Sequence, residues 1–529
     1  MKTSARRFDI TVLLGLLLLA TAVQWLVVRR AVTTSLDAVR YVRLADEIER
    51  HGVIDMVKRE GEQPLFPLWI YTVERTISVF RPIDRAAAAQ TASAVVMVLL
   101  VIPVYFASRR LVGRIAAAVG TLLMIVIPDV ARLGGDATSD SLHLLFFALA
   151  FWAITAWIDD RSRRGVVRAW GLPTLTGIAI GVALLTRVES IVLLAALPMF
   201  LLCSIGRRDT CGRAMLLPSV AMAVGLAIVW LPYLAATNSI SADALQRRLL
   251  GRADPRPAVA QSAAVTELSQ GEGSFAAKEP THSIRRRGLL AATVRLPRKL
   301  AAAFGYWIGL AGIWGAILLA RRRLRPTELF ARIFFVTYLL IAFAFCAREG
   351  YLESRHLMPL VVVSLGSVGL GLLWIARQIG HAIGRTQQTR LRVIGTAAAV
   401  MLIAALSLPW TLAPLHASRL GHRQAGEWLA AKVPKDAAVV DTFGWTGLYS
   451  KRATHIYRDA DRWLADPHVA YLIVEEKEMR HDSPRAETLR QLIAPAGPPV
   501  ARFPSKEIAR PNERIVSVYR LRLQDKTLQ

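Results

Sequence analysis

Cysteine is nearly missing from this chain. Three occur in 529 residues. Cys203 and Cys346 fall in apolar blocks and Cys211 in a basic loop, so their spacing supports neither a disulfide framework nor a zinc site. Acidic residues are also scarce, 39 against 66 Lys and Arg, which leaves a formal charge of +27. The surplus is not gathered into a nucleic-acid recognition motif, which argues against a nucleic-acid partner. No stretch repeats another in sequence. Long runs of alternating polar and apolar positions, which a soluble protein of this size would need, are lacking too.

Long apolar blocks are what the chain has. Hydrophobic residues make up 54% of it and the mean hydropathy is +0.38. The blocks run to roughly 18–23 residues, the helix length that crosses a hydrocarbon core of about 30 Å. Lipid offers the backbone no hydrogen-bond partner, so such blocks must be helical. The spans expected are 8–28, 87–107, 115–131, 141–158, 170–186, 189–206, 214–235, 300–320, 329–347, 356–376 and 393–415. The first follows Lys2, Arg6 and Arg7, but it is longer than a signal-peptide core and no small-x-small cleavage site follows. It reads as a retained anchor.

The positive charge sorts itself between these blocks. Segments 1–7, 108–114, 159–168, 207–213, 321–325 and 377–392 hold 3, 3, 4, 3, 4 and 4 Lys or Arg, whereas the short turns 132–140, 187–188 and 348–355 hold 1, 1 and 2. The positive-inside rule then sets the N-terminus in the cytoplasm of a plasma (inner) membrane protein, against the minor conflict of Arg29 and Arg30. The fold expected is a polytopic α-helical membrane protein of about eleven spans with a small C-terminal α/β soluble domain. Residues 1–415 form the membrane domain, with external loops 29–86 and 236–299, and residues 416–529 form the extracytoplasmic tail. The middle of the second loop, 253–280, reads as mobile or ordered only with ligand. In the tail, 423–432 and 486–493 read as helices, and 437–441, 469–475 and 514–523 as strands. The tail carries no nucleophile motif, phosphate loop or metal spacing.

Polar residues with chemical potential crowd toward one face. Asp37 stands just beyond the first span in SLDAVRYVRLADEIERHG. A carboxylate at the water–lipid boundary is either a solvated juxtamembrane charge or a usable base. Glu62 heads the segment EQPLFPLWIY, whose prolines and aromatic residues also suit a simple lead-in to the second span. Asp136 and Asp140 occupy a tight turn close to the bilayer, where acids suggest function, although Asp140 with Ser141 can equally cap the following helix. Arg187 and Glu189 sit where two spans meet almost without a loop. That pair can pin a hairpin or present Arg187 to an anionic headgroup. In REGYLESRHLMPL, Arg348 and Arg355 are suited to phosphate, and the plain alternative is an interfacial anchor row. His356 lacks a second histidine at metal-binding spacing and reads as packed.

Taken in order, these residues resemble the GT-C membrane glycosyltransferases, in particular the protein O-mannosyltransferase and aminoarabinose lipid A transferase group. The resemblance rests on Asp37 followed by Tyr41, Leu44 and Ala45, on the box Pro64 to Pro67, on Asp140, on Thr186 to Glu189, and on Arg355, His356, Leu357, Met358 and Pro359. Three positions differ from common family usage: Ala38 after the acid, Gln63 in place of His, and His356 in place of Tyr. The resemblance implies a polyprenyl-phosphate-linked sugar as donor and a glycan, lipid or protein hydroxyl as acceptor. It makes Asp37 the catalytic base of an inverting transfer. Arg355 would stabilise the leaving phosphate, with Arg187 or Arg348 as substitutes, and Tyr41, Asp136, Asp140, Glu189, Glu62 and His356 are candidate substrate contacts. No cofactor is implied with certainty; metal dependence varies in the fold class, and the sequence presents no clear metal site. Alternatives are a transporter or flippase of lipid-linked sugars, and a glycan polymerase or ligase. A transporter would place polar groups near the bilayer midplane and show internal repeats, and neither is present here.

Overall fold

The computed structural model describes residues 2–159, 170–205, 213–237, 282–322, 324–383, 388–441, 443–452, 454–456, 469–480, 484–504 and 514–521. The loop stretch 253–280, Cys211 and most of the basic segments 159–168 and 207–213 lie outside the described residues. Among the described residues, six helices are long and apolar enough to cross a membrane: Arg6–Arg30, Arg85–Val112, Ser139–Asp159, Leu217–Ala236, Pro326–Glu349 and Ser354–Gln378. Two bent pairs and three shorter apolar helices, Leu172–Leu184, Val188–Ser204 and Ala397–Thr411, occupy the other apolar blocks. The chain is a polytopic helical membrane protein with a small mixed β-sheet region at its C-terminus.

Two expected spans are broken. The block 115–131 is not one helix: Arg114–Val126 ends at Ile127, and Pro128–Asp136 continues at 69° to it. Pro128 has no N–H and forces the residue before it out of the helical region, and Ile127 is accordingly extended at φ −66°, ψ 122°. The block 300–320 is also interrupted. Gly288–Ala303 and Ile308–Ala320 meet at 99° across Phe304–Tyr306, where Gly305 and Tyr306 both take positive φ. The first bend lets the chain turn back at the bundle end instead of running on, and so brings Asp136 beneath the stretch that follows the first helix.

Small residues allow the closest helix contacts. A Cβ placed on Gly120 would lie 2.0 Å from the Leu365 carbonyl oxygen, and one on Gly369 would lie 1.9 Å from that of Ala116. The two backbones touch with no side chain between them, a contact that suits lipid, where close packing and not water exclusion holds helices together. Deeper in the bundle Phe147, Phe151, Phe200, Phe330 and Phe334 form a buried aromatic core with ring centroids 5.5–5.7 Å apart. Charged side chains are kept from this region and collect at the ends.

At the end of the bundle where the first helix finishes, three amphipathic helices, Leu36–His51, Val53–Glu60 and Leu65–Ser78, lie over the spans. Gly52 and Gly61, both at positive φ, end the first two. Ala38, Val42 and Ala45 bury one face of Leu36–His51 in the main core, while Leu44 and Ile48 pack with Met56, Val57 and Tyr233. Arg85 joins this layer to the second span by pairing with Asp46, Glu49 and Glu74.

The C-terminal region is a five-stranded sheet in the order β2-β1-β3-β5-β4, with β1 (Ala438–Asp441), β2 (Thr454–Ile456), β3 (Val469–Glu475), β4 (Ala501–Phe503) and β5 (Val516–Arg520). β1 runs parallel to β2 and β3, and β5 antiparallel to β3 and β4. Strand alternation splits the apolar residues between two cores. Val439, Ile473 and Val518 face the helix Leu420–Lys432, while Val440, Leu472 and Val474 pack with Leu489 of the helix Pro484–Ile493. The short strands β2 and β4 and the helix Trp445–Ser450 were not evident in the sequence.

Replacing Gly369 by alanine must push Arg114–Val126 away from Met358–Ile383. The variant is expected to lose about 1–3 kcal/mol of stability, seen as a lower melting temperature in detergent. An unchanged melt would mean that these helices do not touch through their backbones.

Candidate functional site

The polar groups of the spans converge where the first helix ends. Ser35 caps the helix Leu36–His51, its hydroxyl accepting from the Ala38 N–H at 3.2 Å, and this puts Asp37 in the first turn. Its carboxylate accepts from the Arg355 guanidinium. Arg355 belongs to a single 3₁₀ turn, Ser354–Leu357, that introduces a late span. The Arg355 Nε lies 2.7 Å from Glu353 Oε2, so one guanidinium is shared by two carboxylates. Asp37 and Arg355 are each about three-quarters buried.

A second group stands alongside. Arg187 donates to Asp140 Oδ1 at 2.7 Å and to Glu189 Oε1 at 2.6 Å and 3.0 Å. Asp140 lies in the first turn of Ser139–Asp159 and is 3% exposed; its Oδ2 has no hydrogen-bond partner among the described residues. Burial alone would lower the Arg187 pKa, but the charges of Asp140 and then Glu189 raise it well above the usual arginine value. One buried cation between two acids leaves the triplet with net negative charge. Arg355 is within electrostatic reach of both Asp140 and Arg187, so the two groups form one electrostatic unit.

Tyr41 stands between them. Its hydroxyl shares a 2.8 Å hydrogen bond with Ser139 Oγ, and its ring meets Phe66 edge-on at 5.0 Å. Burial, and then the nearby Asp37 charge, push its pKa above the ordinary tyrosine value, so it remains a neutral hydrogen-bonding group. The proline-aromatic box thus has a visible function: it sets Phe66 against Tyr41.

The remaining candidates are placed less centrally. Glu62 pairs with Arg40, one turn beyond Asp37 on the same helix, with both side chains about four-fifths buried. The His356 carbonyl accepts from Tyr338 at 2.6 Å, while its ring packs edge-on against Phe345. Asp136 Oδ1 accepts from His416 Nε2 at 2.8 Å, at the base of the C-terminal region. Arg348 is not brought to this unit: it is half exposed and pairs at 3.2 Å with its neighbour Glu349. Among the described residues no group of three His, Cys, Asp or Glu side chains could hold a metal ion.

Two groups escaped the sequence reading. His143, one turn beyond Asp140, shares a 2.8 Å hydrogen bond with Ser190. The i, i+3 spacing from Asp140 was the available signal, obscured by the apolar run around it. The other is the C-terminal set Arg423, Trp445 and Tyr449, which contacts residues 32–35 and gave no sequence signal.

Comparison with known proteins adds to this geometry. Over its whole length the chain superimposes on ArnT from Cupriavidus metallidurans bound to undecaprenyl phosphate, with a TM-score of 0.61, 14% identity and 98% of each chain covered. The chain has the GT-C fold of membrane glycosyltransferases. Residues 62–233 match the family model of dolichyl-phosphate-mannose-protein mannosyltransferases. The oligosaccharyltransferase AglB from Archaeoglobus fulgidus, in complex with an inhibitory peptide and dolichol-phosphate, superimposes with a TM-score of 0.58 and 14% identity, covering 90% of this chain and 70% of that one. No curated protein matches the GT-C chain by sequence.

Arg187→Met removes the cation between two buried carboxylates. It is expected to cost about 3–5 kcal/mol, and adding Asp140→Asn and Glu189→Gln should recover part of the loss. Thermal unfolding in detergent checks both. If the single variant melts like the parent, the triplet does not hold the hairpin.

Proposed function

We propose that this chain, a lipid-phosphate-sugar-dependent glycosyltransferase of the GT-C fold, moves a sugar from a polyprenyl phosphate to an acceptor hydroxyl, with Asp37 as general base. The observation that carries this reading is the meeting of Asp37 with Arg355 beside Asp140, Arg187 and Glu189. It supports this reading because a carboxylate and a guanidinium of the kind that suits phosphate stand side by side. The solved relatives bound undecaprenyl phosphate and dolichol-phosphate, which supports a lipid phosphate as the donor's carrier. The higher Lys and Arg content of segments 1–7, 108–114, 159–168, 207–213, 321–325 and 377–392 against the short turns 132–140, 187–188 and 348–355 supports an extracytoplasmic site in a plasma membrane, with residues 416–529 on the same side.

The chemistry follows from the pairing. Without donor, the Arg355 guanidinium is hydrogen-bonded to the Asp37 carboxylate. A donor phosphate arriving at Arg355 competes for the same guanidinium with bidentate geometry and greater charge. Asp37 is then released toward the acceptor. The acceptor oxygen attacks the anomeric carbon from the face opposite the phosphate, its proton passes to Asp37, and the sugar–phosphate bond breaks with its electron pair on the departing lipid phosphate. The configuration inverts. Phosphate leaves readily, so the main catalytic demand is stabilising its charge, which falls to Arg355. Arg187, tied to two acids, holds the wall of the chamber. Tyr41, beside Asp37, is the candidate contact for the sugar, while Glu62 and His356 stand less centrally.

Reconstituted in liposomes with radiolabelled sugars on undecaprenyl phosphate, and with envelope membranes as the acceptor pool, the protein should transfer label. Asp37→Asn is expected to reduce transfer by roughly 10²–10⁴-fold while leaving expression and membrane insertion unchanged; transfer at the parent rate would remove Asp37 as base. Arg355→Lys keeps the charge but loses the fork, and should raise the donor KM by roughly tenfold or more. A parental KM would exclude Arg355 from donor recognition.

A further inference from the structure

The five residues that join the first helix to the helix bearing Asp37 make no regular structure of their own. Thr33 and Thr34 are 1% and 0% exposed, and Ala31, Val32 and Ser35 are half-buried. Buried backbone groups must find partners, and beyond the Ala31 N–H, which donates to the Val28 carbonyl, partners come from elsewhere in the chain. The Val32 N–H donates to the Leu415 carbonyl at 3.0 Å and the Ser35 N–H to the Asp136 carbonyl at 3.3 Å. The other contacts come from the C-terminal region. Arg423 Nη1 donates to the Val32 carbonyl at 3.1 Å. The Trp445 indole N–H is shared between the carbonyls of Thr34 at 3.2 Å and Ser35 at 3.3 Å. The Tyr449 hydroxyl donates to Thr33 Oγ1 at 2.9 Å. Gly444, at φ +79°, packs its backbone on Val39, two residues past Asp37.

The donors are themselves braced. Trp445 is 1% exposed, with the Arg419 guanidinium 4.4 Å above its ring and His422 and Phe443 beside it at 5.1 and 5.2 Å. The Asp441 carboxylate, at the end of β1, accepts from the N–H groups of Phe443 at 3.0 Å and Thr446 at 2.8 Å, fixing the start of the Trp445–Ser450 helix. Behind them His422 is held by Glu475 of β3 at 3.4 Å. A rigid sheet therefore fixes the path of a strap that is otherwise irregular.

We propose that Trp445, Tyr449 and Arg423 are positioning residues for Asp37: the C-terminal domain is a clamp that fixes the strap Ala31–Ser35, and through the Ser35 cap sets where the Asp37 carboxylate stands. This rests on the reading of Asp37 as base. None of the three is needed to bind donor phosphate, so the clamp acts on turnover and not on donor affinity. A displacement of the base by about an ångström is enough to lower a rate by two orders of magnitude.

The test uses the full-length protein in liposomes with two independent readouts. Trp445→Phe keeps the ring and removes the indole donor. Amide exchange at residues 32–38 should rise by roughly tenfold while exchange elsewhere and the melting temperature stay at parental values. With undecaprenyl-phosphate-linked sugar, kcat should fall by roughly tenfold or more at an unchanged donor KM. Tyr449→Phe should give the same pattern more weakly, and it carries both readouts if Trp445→Phe melts early. Unchanged exchange at 32–38 overturns the clamp, as does a rise spread over the whole chain. A parental kcat with a loosened strap overturns the positioning role. If the parent transfers no sugar at all, the transferase reading fails while the exchange readout still decides whether the clamp exists.

Discussion

An Asp37 carboxylate and an Arg355 guanidinium that lie 318 residues apart in the chain meet at the end of a helix bundle, where both are largely withdrawn from water. Neither charge could remain there alone, because an unpaired buried ion costs several kcal/mol. The same condition governs Arg187, which must answer both Asp140 and Glu189. Once these pairs form, the helix Leu36–His51, the fourth apolar block, the hairpin at Thr186–Ser190 and the turn before Met358 are fixed relative to one another.

Charge pairing of this kind bears on the proposed function as well as on shape. In the reading of Asp37 as base, a donor phosphate would claim the Arg355 guanidinium and so free the carboxylate beside it. Below this layer the buried Phe147, Phe151, Phe330 and Phe334 form an apolar interior.

The C-terminal region has its place in the same scheme. Its sheet has its own two-sided core, yet the donors at its base are directed at the backbone just before Asp37. A short irregular strap beside a membrane has no means of satisfying its own polar groups. Supplying them from a separately packed sheet gives the strap one path.

The sequence alone determined most of the apolar spans and the three longer strands of the tail, Ala438–Asp441, Val469–Glu475 and Val516–Arg520, because both rest on local composition: apolar length for the spans, strand-like runs for the tail. Ordered pairs of acid and arginine residues marked Asp37, Asp140, Arg187, Glu189 and Arg355 for the same reason, since a charge next to an apolar block stands out. What joins them was decided by tertiary structure alone. The backbone contact at Gly120 and Gly369, the choice of Asp37 as the partner of Arg355, and the reach of Trp445 to Thr34 each depend on groups far apart in the chain. Burial in a shared, poorly hydrated layer selects those partners, and nothing in local sequence encodes which distant charge or carbonyl will be there to meet them.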